Sequence, residues 1–215
     1  MNENALEWGY GLSWWAHALV LLGFLNYLPF SKHLHIFTAP FNVFFRPSTP
    51  KGQLSTMDLE NVETFGVANL EELTWKDLLD TYSCTHCGRC DDNCPAFLND
   101  QPLSPKRIIL DIGHHLDQRY PLRGKPAQDG EKVLAGEVCA DEALWSCTTC
   151  RACMHFCPLF IEHVPKIVDM RRYLVLTESR FPNEVTAVFN NMERNGNPWE
   201  ISWTSRGDWA KGLDI

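Results

Sequence analysis

The apolar stretch Ser13–Phe30, SWWAHALVLLGFLNYLPF, contains no charged side chain. As a helix it is at the short end of what crosses a bilayer, and apolar neighbours can lengthen it. Trp14, Trp15 and Tyr27 sit near its two ends, as interfacial aromatics do. Further along, apolar positions recur with helical period. Thr74 and Asp77 make a capping box ahead of Trp75, Leu78, Leu79 and Tyr82, which share one face. Ser104 is a natural N-cap with Pro105 at the first helical position, followed by Ile109, Ile112, Leu116 and Tyr120. Ile167, Met170 and Leu174 line another helix; Val185, Val188, Phe189 and Met192 line a last one that stops near Gly196. All of these stripes read as core. Between residues 52 and 73 the pattern is weak and is compatible with a short hairpin.

Composition narrows the class. A net charge of −8 argues against nucleic acid as a partner. A secretory leader needs a basic first region, but MNENALEWGY holds Glu3 and Glu7 and no Lys or Arg. The flank after the apolar run carries Lys32, Arg46 and Lys51. The positive-inside rule then puts the N-terminus outside and the rest of the chain, from about residue 31, on the cytoplasmic side of the inner membrane. That compartment is reducing, so the nine cysteines are not read as disulfides.

Eight of the nine fall into two copies of one pattern, CTHCGRCDDNCP from Cys84 and CTTCRACMHFCP from Cys147, 63 residues apart. The spacing C-x2-C-x2-C-x3-C-P wraps three cysteines round one iron–sulfur cube and sends the fourth to the neighbouring cube. Crossed ligation is therefore expected. One [4Fe-4S] cluster takes Cys84, Cys87, Cys90 and Cys157; the other takes Cys147, Cys150, Cys153 and Cys94. Structural zinc prefers paired C-x2-C units with a longer gap, which fits less well. Cys139 has no partner motif and reads as a free buried cysteine. His86, Arg89, Arg151 and His155 lie inside the cysteine loops, as tuners of the sulfur environment or as exposed loop residues. The pair Asp91–Asp92 reads as a solvated turn or a face for a basic donor, and Arg171 and Arg172 as helix surface.

The expected fold is mainly α: one transmembrane helix followed by an α-helical ferredoxin domain binding two [4Fe-4S] clusters. The boundaries expected are 1–46 for the membrane helix and interfacial segment, 47–73 for a linker, 74–180 for the ferredoxin domain, and 181–215 for a C-terminal helix and tail.

His17 interrupts the apolar run, where an ionisable residue is costly and usually functional. His35 follows eighteen residues later, five whole turns on, so a continuous helix would aim both rings from one face; His33 falls roughly 160° away. Two such histidines suit axial ligands of two stacked b haems, shared with a partner helix; the other reading is a buried or interfacial histidine. Pro29 would kink the helix and spoil the phase.

The segment LWSCTTCRACMHFCPLFIEHVPKIVDMRRYLV resembles the iron–sulfur segment of the heterodisulfide-reductase-like family, which includes membrane-bound oxidoreductases linked to electron-transfer flavoprotein. YLPFSKHLHIFTAPFNVFFRP resembles the junction after the last haem helix of those proteins. That helix is in turn similar to the last haem-bearing helix of the membrane subunit of respiratory nitrate reductase, where it carries one ligand to each of two haems b. The resemblance extends over nearly the whole chain and implies His17 and His35 as haem ligands. It departs from the family in showing one membrane helix and no cysteine-rich domain beyond Cys157, so the chain reads as a split subunit or a fragment. The function implied is a membrane-anchored electron-transfer subunit. It would relay electrons through two [4Fe-4S] clusters between a cytoplasmic donor such as electron-transfer flavoprotein and membrane haem b and menaquinone. The alternative is the iron–sulfur subunit of a heterodisulfide-reductase-like or dehydrogenase complex, with catalysis in a partner carrying cysteine-rich domains. A third reading is a non-redox interaction protein stapled by its clusters.

Overall fold

The computed structural model describes residues 3–50, 52–60, 64–121 and 132–213, which are mainly helical with no strand among them. Residues 3–173 form one compact unit, and a second begins within the last turns of the helix that ends at Leu176. The first unit opens with α1 (Glu3–Tyr27), part of an apolar span over Asn4–Phe30 that is long enough to cross a membrane. Pro29 sits in a short 3₁₀ turn, Leu28–Phe30, and the next helix, α2, begins only at Leu34 and runs to Phe44. His17 and His35 therefore lie on different helices. The five-turn phase expected to align them does not exist, because the chain leaves the helix at the proline.

Helix α3 (Trp75–Ser83) starts at the expected capping box: the Thr74 hydroxyl accepts from the Asp77 amide at 3.2 Å, and the Asp77 carboxylate accepts from the Thr74 amide at 3.1 Å. Its fully buried face is not the one expected, of which Leu78, Leu79 and Tyr82 are half-buried. Lys76, Asp80, Thr81 and Ser83 point inward while Trp75 is 61% exposed. The inward polar face is tolerated because its charges are paired. Asp80 is fully buried. It takes Lys166 Nζ at 2.5 Å, Lys76 Nζ at 2.7 Å, Asn42 Nδ2 at 2.9 Å and the Glu162 amide at 3.1 Å.

Short helices α4 (Arg89–Asp92) and α5 (Pro95–Leu98) follow the first cysteines. Helix α6 (Pro105–Arg119) buries Ile108, Ile109, Ile112 and Leu116, whereas Tyr120, placed on that stripe by its spacing, lies outside the helix and is exposed. After the undescribed residues 122–131, a turn over 132–140 folds Cys139 into the core beside a lone bridge to Ala135. Helices α7 (Asp141–Trp145) and α8 (Ala152–His155) bracket the second cysteine loop. Helix α9 (His163–Leu176) buries Val164, Lys166, Ile167 and Met170.

The described part of 52–73 holds no hairpin. Residues 64–73 instead form a 3₁₀ turn, Leu70–Glu72, capped by Asn69, and tack onto α9 through the Val67 amide on the Asp169 carbonyl at 3.0 Å. Gly66 makes this close approach possible. It has φ +87°, and a Cβ there would overlap the Asp169 carbonyl oxygen and the Tyr173 amide nitrogen. Gly66→Ala is expected to cost ~2 kcal/mol or more, combining left-handed strain with backbone displacement. A lowered thermal unfolding midpoint is the measurement; an unchanged midpoint would contradict the packing.

In the second unit, α10 (Asn183–Asn195) ends at Gly196 with φ +69°. Its stripe is not the core expected: Val188, Phe189 and Met192 are exposed, and Phe189 meets Phe181 edge-on with ring centres 5.1 Å apart.

Candidate iron–sulfur site

The two cysteine loops share a backbone. In the first, His86 (φ 57°) and Gly88 (φ 83°) adopt the left-handed conformation; in the second, Thr149 (φ 55°) and Arg151 (φ 64°) do so at the matching positions. Glycine takes that shape freely, whereas Arg151 does so against its own preference. Its guanidinium is held by the Gln53 carbonyl at 3.1 Å. The twist turns successive amides inward: Thr149 N–H meets Cys147 Sγ at 3.4 Å, and His86 N–H donates to the Cys84 sulfur in the same way. The amides of Asp91 and Met154 also favour thiolate at Cys90 and Cys153, while donating to the Gly88 carbonyl at 2.9 Å and the Arg151 carbonyl at 3.1 Å.

Cys84, Cys87, Cys90 and Cys157 line one open cavity of about 320 Å³, solvent-open space included, together with Lys106 and His163. Cys157 thus joins the first repeat. Cys94, in turn, lies near enough to Cys147 and Cys153 to act electrostatically on both, and Cys150 adjoins Cys147. Cys90, Cys153 and Val164 share a buried apolar cluster between the two groups. Among the described residues no three His, Cys, Asp or Glu side chains close on a single-ion centre. Thiols ringing a space, with amides aimed at sulfur, fit a cube held by four cysteines.

Burial pushes the thiols up. Cys90 rises to about 12 with help from Asp91 and Cys84, and Cys153 to about 12 with Cys147 adding to the burial effect. Burial also raises Cys84 and Cys147, against the amides of His86 and Thr149, and Arg171 opposes the rise at Cys147. Iron binds thiolate rather than thiol, so a cluster held by these cysteines would release protons on loading and be favoured by higher pH. Cys139, also pushed to about 12 by burial, is enclosed at 1% exposure and belongs to neither group.

Two charged groups differ from their expected roles. Asp91 is not in a solvated turn: it is buried and takes the Ser104 hydroxyl at 3.0 Å, the Lys106 amide at 3.0 Å and Lys106 Nζ at 3.4 Å. It ties the first loop to the start of α6. Arg171 is not plain helix surface. Its guanidinium donates to the Leu144 carbonyl at 2.5 and 2.9 Å and to the Cys147 carbonyl at 2.6 Å, and stacks over Trp145 at 5.1 Å. It clamps the start of the second loop. No sequence signal marked either residue, because their partners lie on other segments. Arg172 pairs with Asp169 at 2.7 Å and reaches the Ser55 carbonyl at 3.1 Å. Of the remaining loop residues, His86, Arg89 and His155 are exposed; Arg89 borders the cavity, and His155 packs edge-on against Phe156. His17 is exposed along α1, and His35 sets its Nδ1 against the Lys32 carbonyl at 2.7 Å.

Residues 80–161 match the 4Fe-4S dicluster domain family. The chain is 40% identical over 230 residues to EtfAB:quinone oxidoreductase of Syntrophomonas wolfei, covering 97% of this chain and 32% of that protein. It is 39% identical over 178 residues to the "Probable membrane-anchored ferredoxin" of Chromohalobacter salexigens, covering 75% and 27%. Against a ferredoxin:CoB-CoM heterodisulfide reductase subunit of Methanosarcina mazei, identity is 34% over 97 residues, covering 45% and 48%. The chain thus spans about a third of the first of these relatives, rather less of the second and about half of the last. With both cysteine groups inside the matched segment, residues 80–161 carry a 4Fe-4S dicluster domain, and the chain is a homologue of these oxidoreductase and ferredoxin relatives.

Proposed function

We propose that the chain is a membrane-anchored electron-transfer unit holding two [4Fe-4S] clusters on the crossed cysteine sets, Cys84, Cys87, Cys90 and Cys157, and Cys147, Cys150, Cys153 and Cys94. The observation that carries this reading is the cavity that gathers Cys157 with the three cysteines of the other repeat. Bound clusters supply one-electron chemistry. The protein's part is to place them back to back across Cys90, Cys153 and Val164, and to aim the amides of His86 and Thr149 at sulfur. Such amides stabilise added negative charge on the cluster and so tune its potential.

The endpoints we propose are a soluble donor such as electron-transfer flavoprotein on the cytoplasmic side of the inner membrane, and haem b with menaquinone in the bilayer. The similarity to the quinone oxidoreductase and the apolar span favour them. His35 suits axial ligation because its Nδ1 rests on a carbonyl, leaving Nε2 free; His17 is the candidate within the span. The second haem ligand in each case would come from a partner helix. The similarity to a heterodisulfide reductase component favours a second reading, in which the same wire serves catalysis in a partner with cysteine-rich domains.

Metal, acid-labile sulfide and haem analysis of the purified complex, with paramagnetic resonance, separates these. Iron and sulfide in equal amounts with a b-type haem signal that falls on His17→Ala support the first reading. Clusters without haem, together with thiol–disulfide activity in the complex, favour the second. Zinc without acid-labile sulfide would remove the basis of both.

A further inference from the structure

Helix α2 is too short to cross a bilayer: its eleven residues span about 16 Å, roughly half the hydrocarbon thickness. Pro40 further removes one of its internal hydrogen bonds. Yet one face is strongly apolar and unpartnered. Phe37, Phe41 and Phe44 fall within about 60° of one another on the helix and are 49%, 60% and 79% exposed. Phe45, just past the helix, extends the patch by meeting the exposed ring of Trp75 edge-on at 5.1 Å.

The other face is polar and occupied. Thr38 Oγ1 donates to the Tyr82 carbonyl at 2.9 Å. Asn42, wholly buried, donates through Nδ2 to Asp80 at 2.9 Å and to the Leu159 carbonyl at 2.8 Å. Leu159 lies two residues beyond Cys157 and lines the same cavity. Arg46, at the end of this segment, stacks over Phe160 at 4.8 Å.

Resting on the anchored reading above, we infer that the aromatic face of α2 seats in the headgroup boundary of the bilayer. Its polar face then holds the Cys84–Cys87–Cys90–Cys157 site as the membrane-proximal one. Three observations name lipid as the occupant. The face follows the apolar span after six residues, so it starts at the membrane surface. Its aromatic composition is that of interfacial helices. Lys32 and Arg46, both exposed, flank it with the charge that meets lipid phosphate. The site built round Cys147 has no such connection to α2 among the described contacts.

Photo-crosslinking in native membranes tests this on the full chain. Phe37→p-benzoylphenylalanine, Phe41→p-benzoylphenylalanine and Phe44→p-benzoylphenylalanine should each form lipid adducts on mass analysis. The same substitution at Leu98 should form none. Adducts at Leu19 in α1 report the anchor separately. Adducts at 19 but none at 37, 41 and 44, or protein adducts there instead, overturn the inference and leave the anchor standing; no adducts at 19 either would overturn both. A lipid carrying a headgroup-chelated dysprosium ion should shorten the relaxation of the cluster signal removed by Cys87→Ser more than that removed by Cys150→Ser. Equal or reversed effects would refute the order of the sites.

Discussion

Cys94→Ser is expected to abolish one of two cluster signals and to lower bound iron by about half, with the lost signal being the one that Cys150→Ser also removes. Cys157→Ser should do the reverse, removing the signal that Cys87→Ser removes. The physical basis is that each fourth cysteine comes after the short helix, α4 or α8, that carries its own repeat's third. It stands instead among the thiols of the other repeat: Cys157 in the cavity with Cys84, Cys87 and Cys90, and Cys94 beside Cys147 and Cys153. A serine oxygen is a harder and weaker ligand for iron than a thiolate, and loss of one of four thiolates exposes a corner of the cube. The two variants must be read by paramagnetic resonance and by iron and sulfide content, not by activity alone. If Cys94→Ser instead removes the signal assigned to Cys87, each repeat ligates its own cluster and crossed ligation is wrong.

Lys166→Met is expected to destabilise the iron–sulfur domain by about 3–5 kcal/mol, the range for breaking a buried ion pair from one side. Lys166 is 1% exposed and holds Asp80 at 2.5 Å and Asp77 at 2.8 Å. Burial works to raise the Asp80 carboxyl, but Lys166 and Lys76 outweigh it and keep it below the ordinary carboxylate value of 3.8. Burial works to lower Lys166, and Asp80 and Asp77 outweigh that and hold it above 10.5. The signs set the pH window. A depressed carboxyl contributes stability above its ordinary value and loses it as pH falls through the folded value. A raised ammonium contributes below its ordinary value and loses it as pH rises through the folded value. The lock is therefore complete between about 4 and about 10, and acid below about 4 should loosen the native domain more than Lys166→Met. A thermal midpoint lowered by about 6 °C or more at pH 7 is the expected reading. A shift under about 2 °C would mean that Lys76, Asn42 and the Glu162 amide suffice for Asp80. Because Asn42 and Glu162 join the same node, its loss should also loosen α2 and the loop after Cys157.

Features carried by neighbours in the chain were legible before any fold was known. The apolar run depends on composition alone. The Thr74–Asp77 box, the Ser104 cap and the 2-2-3 cysteine spacing each rest on residues about three to ten apart, where geometry is local. The buried stripe of Ile109, Ile112 and Leu116 follows from helical period. What needed the tertiary structure were contacts whose partners are far along the chain. Asp80 meets Lys166 across 86 residues, and Asn42 reaches Leu159 across 117. With those partners the polar face of α3 turns inward and Trp75 outward, against a pattern judged by hydrophobicity alone. Asp91 and Arg171 read as surface charges in the sequence, but in the fold the Ser104 hydroxyl donates to Asp91 and the Leu144 and Cys147 carbonyls accept from Arg171. The helix break between His17 and His35 was announced by Pro29, but the turn that follows it depends on packing. Spacing nominated the ligands; only folding decided which charges would be buried beside them, because desolvation is a property of what surrounds a residue and not of the residue itself.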